Sequence, residues 1–325
     1  VDSSILDRFR GDLGALIAPH ARIGVAVSGG PDSLALLLLA AAARPGQVEA
    51  ATIDHGLRPE ARNEAEMVAS VCERLEIRHA ILTARWSELP ETAIQERARN
   101  KRYRLLGYWA EERGLDALAT AHHAEDQAET LLMRLARGSG VRGLAGMRPR
   151  SVSPGAHVRL VRPLLGWRRT ELEQICKDAG LIPVADPSND DQRFERVRVR
   201  HALAALDWLD AGAVAHSAAN LADADAALDW AAKAEWNHNV HEKPRSITYR
   251  PSDAPAEIVR RVVGRAIRKL ATEGEFEPRG VELSRLVSTL GQGGTATLRG
   301  VLCRGGSEWH FVPSPNRTRP VDNFE

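Results

Sequence analysis

Six residues, Ser28-Gly29-Gly30-Pro31-Asp32-Ser33, sit between the apolar runs RIGVAV (22–27) and LALLLLAAAA (34–43). A loop leading from a strand into a helix offers backbone N–H groups and a helix N-terminus to an anion. Gly29 and Gly30 let the backbone come close to a phosphate, Pro31 sits at the helix start, and Ser28 and Ser33 add hydroxyls. The loop has no Lys of the Walker A kind and is not G-x-G-x-x-G. Asp32 is out of place, because a carboxylate repels phosphate unless a cation lies between them, which points to Mg²⁺ or to handling of a proton. A plain glycine-rich turn is the alternative.

Other chemistry-bearing residues fall at the ends of later apolar runs. IDHGLR (53–58) places Asp54 and His55 just beyond the second one. In QERARNKRYRLL (95–106), Gln95, Arg99 and Arg102 share a helical face with Tyr103 close by, and two guanidiniums on one face suit a phosphate. A solvated face is the competing reading. In TAHHAEDQAET (120–130), His122, Asp126 and Thr130 recur every four residues and His123, Asp126 and Glu129 every three. Imidazole and carboxylate therefore project together, as metal coordination or general base chemistry would need. The spacing is not that of a zinc site. Arg137 and Arg142, and Arg196, Arg198 and Arg200 in RFERVRVRH (193–201), form two basic clusters. The last three would line one face of an extended segment or spread around a helix. Either arrangement suits an RNA backbone, or a merely solvated surface.

These residues need elements to position them. Strand-like runs at 22–27, 48–53, 77–83, 115–120 and 158–165 alternate with helical patterns from Ser33, over 59–75, 91–113 and 124–136, and at RRTELEQICKDAG (168–180). That alternation predicts an α/β fold, a parallel sheet with helices on both faces. Ligands of such sheets bind at the carboxyl ends of the strands. From Trp208 to about Trp236 the texture is Ala-rich and helical. SITYR (246–250), helices over 254–271 and 279–290 and a hairpin in TATLRGVLCRGGSEWHFV (295–312) then predict a small α+β domain. The expected division is 1–205, 206–243 as a helical linker, and 244–325.

Composition limits the function classes. A chain of 325 residues suits two domains. The net charge of +1 says little about partners, so an RNA reading rests on where the arginines fall. Cys72, Cys176 and Cys303 are scattered without a Cys-x-x-Cys, which argues against a cluster, a structural zinc or a redox pair. No stretch is long enough to span a bilayer and the N-terminus has no signal pattern, so a cytoplasmic protein without a membrane partner is expected.

SGGPDS resembles the signature of the N-type ATP pyrophosphatases, the PP-loop superfamily. Within it, DHGLR, ARNKRY, AHHAEDQAET, RGSGVRGLAGM, RPLL and DPSNDDQRFERVRVR occur in the order seen in the tRNA(Ile)-lysidine synthetase family. The resemblance covers roughly residues 20–205 and is looser beyond. It implies a ligase that uses ATP and Mg²⁺ to activate the 2-carbonyl oxygen of the wobble cytidine in CAU-anticodon tRNA(Ile). The ε-amine of free L-lysine then displaces AMP to give lysidine, changing the codon read from AUG to AUA. It also implies a tRNA-binding C-terminal domain, ATP on residues 28–33, and Mg²⁺ near Asp32 and Asp126. Arg99 and Arg102 would face the α-phosphate or the cytidine, and Asp54, His55, His123 and Asp126 the lysine amine. RNA contacts would come from Arg137, Arg142, Arg196, Arg198 and Arg200.

Two departures from the family pattern stand out. Glu125-Asp126 replaces a common Asp-Asp, and Val197 replaces the usual Asn after Arg196. A tRNA thiolase, an amidotransferase-type synthetase and a non-catalytic nucleotide- or tRNA-binding module are the rivals. The first lacks its cysteines here and the second its glutaminase. The oligomeric state stays open, a homodimer included.

Overall fold

The computed structural model describes residues 1–54, 56, 60–84, 86, 94–184, 193–271 and 278–314. It divides into two units, Val1–Gly138 with Gly143–Asn220, and Ser139–Arg142 with Leu221–Glu325. The second boundary falls inside one long helix.

The first unit begins with α1 (Ser3–Gly14), β1 (Ile23–Ala26), α2 (Pro31–Ala43), β2 (Val48–Asp54), α3 (Glu60–Arg74) and β3 (Arg78–Thr83). It continues with α4 (Ile94–Glu112), β4 (Ala117–Ala119), α5 (Ala124–Ala136), α6 (Val141–Leu144), β5 (Arg150–Val152) and β6 (Arg159–Val161). Then come α7 (Arg169–Asp178), α8 (Glu195–Ala204) and α9 (Ala211–Asn239). The strand order is β3-β2-β1-β4-β6-β5, parallel throughout except for the antiparallel β5–β6 pair.

Period-two alternation sends successive strand residues to opposite faces, and each face has its own core. Ile23, Val25, Ala117 and Ala119 pack against α1, α2, α3 and α7, while Leu118 and Leu160 pack with Tyr103, Leu106 and Trp109 of α4. Helix α2 is apolar on every side and is buried from Ser33 to Ala40, as a helix enclosed in a core should be. The sheet is therefore an α/β sheet with helices on both faces.

Two details differ from the sequence pattern. The fifth parallel strand is only Arg159–Val161 rather than 158–165, because Pro163 supplies no N–H for a ladder. The edge strand β5 was not expected, since three residues carry no readable period. Parallel register places the ends of β1, β2, β4 and β6 side by side, and the chain leaves them at the Ser28–Ser33 loop, at Asp54, at Thr120–His123 and at Arg162.

The second unit has β7 (Val240–Lys243), β8 (Ser246–Tyr249), α10 (Ala256–Leu270), α11 (Gly280–Gly291), β9 (Thr295–Leu298), β10 (Val301–Arg304) and β11 (Trp309–Pro313). They form an antiparallel sheet in the order β7-β8-β11-β10-β9. Its core joins Ile247, Tyr249 and Phe311 to Val263, Ile267 and Leu290 of the two helices. The expected hairpin is thus two successive hairpins. Arg261, buried with Asp225, bonds Asp225, Asp229 and Glu257, so its charge is fully partnered. No helix among the described residues is long and apolar enough to cross a membrane.

Candidate active site

The Ser28–Ser33 loop is held in shape from within. Ser33 is buried and its hydroxyl donates to the Gly30 carbonyl (3.0 Å) while accepting from the Ser28 N–H (3.1 Å). Its proton is thereby committed to bracing the loop, so in the 3.2 Å contact between the two hydroxyls Ser28 donates to Ser33, and the exposed Ser28 oxygen is the one a ligand can reach. Gly29 has φ +87, and a Cβ there would lie 3.3 Å from Met67 Cε and 3.4 Å from Val184 Cγ2. Gly30 differs. It caps α2 with an ordinary backbone, and a Cβ would meet nothing nearer than Ser28 Oγ at 3.7 Å. The protein leaves room above Gly30, as close approach of a phosphate requires. The Val184 N–H donates to the Gly29 carbonyl, and Cys176 Sγ to that of Pro31.

Beside the loop lies an acidic cluster built by the start of α5. His123 is the N-cap residue, and its N–H donates to Asp126 Oδ2 (3.1 Å), so the helix end fixes both side chains. The His123 ring is 7% exposed. Its Nδ1 is 2.9 Å from Glu125 Oε2, and Nε2 lies 3.5 Å from Asp32 Oδ2 and 3.6 Å from Asp126 Oδ2. Burial alone would push the imidazole pKa down. Hydrogen bonds to Asp32 and Glu125 and the nearby Asp126 charge prevail and raise it to about 10. His123 is therefore an imidazolium at neutral pH, wedged between three carboxylates.

Asp32 Oδ1 is buried without a hydrogen-bond partner. Among the described residues no group of three or more metal-binding side chains occurs. Asp32 and Asp126 nevertheless supply hard oxygens, one of them orphaned, and these fit Mg²⁺, which takes most of its ligands from phosphate and water.

Deeper on α5, Glu129 is fully enclosed. Its two oxygens each accept from a guanidinium Nε at 2.7 Å, one from Arg196 and one from Arg200. Arg196 Nη2 also lies 3.8 Å from Asp126 Oδ1. The segment 195–204 is a helix, which settles the choice left open by the sequence. Arg196 and Arg200 share a face by i,i+4 spacing, Arg198 points elsewhere, and Val197 is buried.

Opposite the acids is a basic cluster around Tyr103. The Arg99 and Arg102 guanidiniums lie 5.3 and 5.2 Å from its ring. Arg162, at the end of β6, is 8% exposed, and its Nη1 donates to the Arg148 carbonyl and Ser151 Oγ. His122, hydrogen-bonded to Thr120 Oγ1 (2.9 Å), faces the same arginines. Burial and the charges of Arg162, Arg102, Arg99 and Arg196 push its pKa well below the usual value, so His122 is neutral. Two adjacent histidines thus hold opposite protonation states.

The expected residues distribute as follows. Asp32, His123 and Asp126 come together. Arg99 and Arg102 come together with Tyr103. Asp54, at the end of β2, accepts from the Gly56 N–H and closes a turn, and His55 lies outside the described residues. Of the arginines expected to touch RNA, Arg137 pairs with Glu195, Arg142 with Asp225 and Asp229, and Arg196 and Arg200 with Glu129. Arg198 donates to the Arg193 carbonyl. Glu129, His122 and Arg162 were not among the expected site residues. The spacing of Glu129 and His122 on the α5 segment was the available signal, and Arg162 gave none.

Residues 5–206 match a family described as a PP-loop domain. The tRNA(Ile)-lysidine synthase of Novosphingobium aromaticivorans is 49% identical over 96% of this chain and 95% of its own. That of Zymomonas mobilis is 42% identical over 95% and 93%. Among solved structures, the U34-tRNA thiolase NcsA from Methanococcus maripaludis, with its 4Fe-4S cluster, aligns with a TM-score of 0.55 at 18% identity. That alignment covers 66% of this chain and 77% of the other, a likeness of fold.

Proposed function

This chain belongs to the tRNA(Ile)-lysidine synthase family and is an enzyme of that type built on a PP-loop ATP-using domain; from that premise we propose the following chemistry. The 2-carbonyl oxygen of the wobble cytidine of CAU-anticodon tRNA(Ile) attacks the α-phosphorus of ATP, and pyrophosphate leaves. The ε-amine of L-lysine then attacks C2 of the adenylated cytidine, AMP departs with the C2–O bond, and the amine loses a proton. The product pairs with A instead of G, so the tRNA reads AUA.

The observation that carries this reading is the single imidazolium, His123, bridging Asp32 of the ATP loop to Asp126 of α5. It brings the nucleotide site and an acidic receiver for a cationic substrate within one side chain of each other. The loop from Ser28 to Asp32 holds the pyrophosphate end through backbone N–H groups and the Ser28 hydroxyl. No Walker lysine is needed, because the γ-phosphate leaves as part of the pyrophosphate. Ser33 braces the loop. Asp32 and Asp126 would hold Mg²⁺, which supplies charge neutralisation to the leaving pyrophosphate.

Neither histidine serves as a general base at neutral pH. His123 already carries its proton, and His122 holds one too weakly. His123 is accordingly a positioning residue, and Asp126 receives the lysine ammonium. Arg99 and Arg102 face the phosphoryl group being transferred. Asp54 and His55, beyond β2, remain candidates for the lysine end.

RNA backbone contacts fall to Arg137 and Arg198. The exposed Arg137–Glu195 pair is worth only about 0–1 kcal/mol and is readily exchanged for phosphate. Arg142, paired with the exposed Asp229, is exchangeable in the same way, whereas Arg196 and Arg200 are held by the buried Glu129. The catalytic domain is residues 1–205, followed by a helical linker that ends with α9 at Asn239, not at 243 as the sequence pattern suggested, because β7 (Val240–Lys243) already pairs within the sheet of the tRNA-binding domain. The enzyme acts in the cytoplasm, where its tRNA resides.

The test is pyrophosphate release from ATP without lysine. A burst stoichiometric with enzyme, dependent on unmodified CAU-anticodon tRNA(Ile), is expected. A folded, ATP-binding preparation that releases none would contradict the adenylate route.

A further inference from the structure

The basic cluster contains two buried donors that the protein itself leaves unanswered. Among the described residues the buried Tyr103 hydroxyl has no acceptor for its proton, its oxygen facing the Arg102 and Arg162 guanidiniums, and Arg162 Nε is buried without a partner; the two residues are 2% and 8% exposed. Buried polar atoms are almost always paired, and each exception costs the full desolvation of the group. The phenol is the more telling of the two. Its charged neighbours Arg99, Arg102 and Arg162 are donors only, so nothing there can accept its proton.

Charge gives the same answer. Among the described residues no carboxylate forms an ion pair with Arg99, Arg102 or Arg162, whereas Glu129 alone pairs with two arginines and Arg261 with three acids. Burial would raise the phenol pKa, yet the charges of Arg102, Arg99 and Arg162 bring it below the usual value. That depression reports a strongly positive potential at the hydroxyl. A cluster of donors that no carboxylate pairs with among the described residues is complementary to an oxyanion, which accepts only.

We propose that Tyr103 and Arg162, together with Arg99 and Arg102, bind one phosphate of the reacting nucleotides, with the phenol O–H and the Arg162 Nε–H donating to its oxygens. This inference rests on the lysidine-forming reading above. The phosphate is either the α-phosphate of ATP or a backbone phosphate of the RNA at the acceptor nucleotide. Both share the chemistry, and β6 lies two strand positions, about 10 Å, from β1, within reach of either.

Tyr103→Phe and Arg162→Gln separate the sources. Removing a hydroxyl whose proton has no acceptor among the described residues leaves folding intact, so Tyr103→Phe keeps a thermal midpoint close to that of the wild type. Its KM for one substrate, ATP or tRNA, rises about 10-fold or more, as expected for a hydrogen bond to a charged group, while the other KM stays unchanged. Arg162→Gln raises the same KM, and Arg162→Lys recovers part of the loss. A selective rise in KM for ATP identifies the α-phosphate, and one for tRNA the RNA backbone.

The same variants are titrated with ATP alone and with unmodified tRNA transcript alone, by filter binding. This arm reads the pocket even if the wild-type enzyme forms no lysidine, a result that would count against the reaction and not against the pocket. Folded Tyr103→Phe and Arg162→Gln proteins with wild-type binding of both ligands would overturn the proposal.

Discussion

His122 and His123 are consecutive, yet one looks onto a surplus of acids and the other onto a surplus of bases. On the acidic side the protein supplies much of the counter-charge itself. His123 lies among Asp32, Glu125 and Asp126, and Glu129 takes two arginines. On the basic side Arg99, Arg102 and Arg162 surround Tyr103, with no ion pair to a carboxylate among the described residues. The difference shows what each side is for. A cluster partnered within the protein is held in place before any substrate arrives, and it fixes the orientation of Asp32 and Asp126. An uncompleted cluster stores a demand for negative charge, which a phosphate would meet. A reaction joining a cationic amine to a base activated by phosphate needs both.

The sharpest break on the acidic side is Asp126→Asn, which keeps the shape and removes the charge. Lysidine formation should fall about 10²-fold or more, with pyrophosphate release measured separately. Wild-type rates in both assays would remove Asp126 from the chemistry. Next in size is Glu129→Ala, which strands Arg196 and Arg200. Both guanidiniums are about one-third exposed, so the cost should lie below the full penalty for breaking a buried pair, at about 2–3 kcal/mol in chemical denaturation. A loss under 0.5 kcal/mol, roughly the level of an exposed pair, would show that the acidic side is not held in place by partners within the protein. Smaller still is Gly29→Ala. The positive φ costs about 1–2 kcal/mol, and the contacts with Met67 and Val184 should raise the KM for ATP. An unchanged KM for ATP would mean that the loop does not need this conformation to hold the nucleotide.

Much of this was legible in the sequence because it was written in local patterns. The runs at 22–27, 48–53 and 115–120 are β-branched or small and apolar, and each ends in a residue type that punctuates a strand. The Gly29-Gly30 loop, Asp54 and the histidine pair therefore read as lying at carboxyl ends of strands, and the strand order makes those ends neighbours. The helix with Arg99 and Arg102 on one face was readable from its period.

What stayed hidden depends on neighbours distant in sequence. The opposite protonation of His122 and His123 is set by residues on α2, α4, α8 and β6. Arg162 falls inside the strand-like run 158–165 with nothing in its spacing to mark it, yet it lies just past β6 and is 8% exposed. Arg196, Arg198 and Arg200 could not be assigned to helix or strand, because alternating Arg and Val satisfies both periods. Glu129 settles the matter by taking Arg196 and Arg200 from one helical face.

On the proposed chemistry, this site joins lysine to a tRNA base at the expense of ATP. Its most direct test is incubation of the folded protein with labelled lysine, ATP, Mg²⁺ and an unmodified CAU-anticodon tRNA(Ile) transcript. The account predicts label in the tRNA that depends on ATP and is lost when the wobble cytidine is replaced. An ATP-binding preparation that leaves the tRNA unlabelled would contradict it.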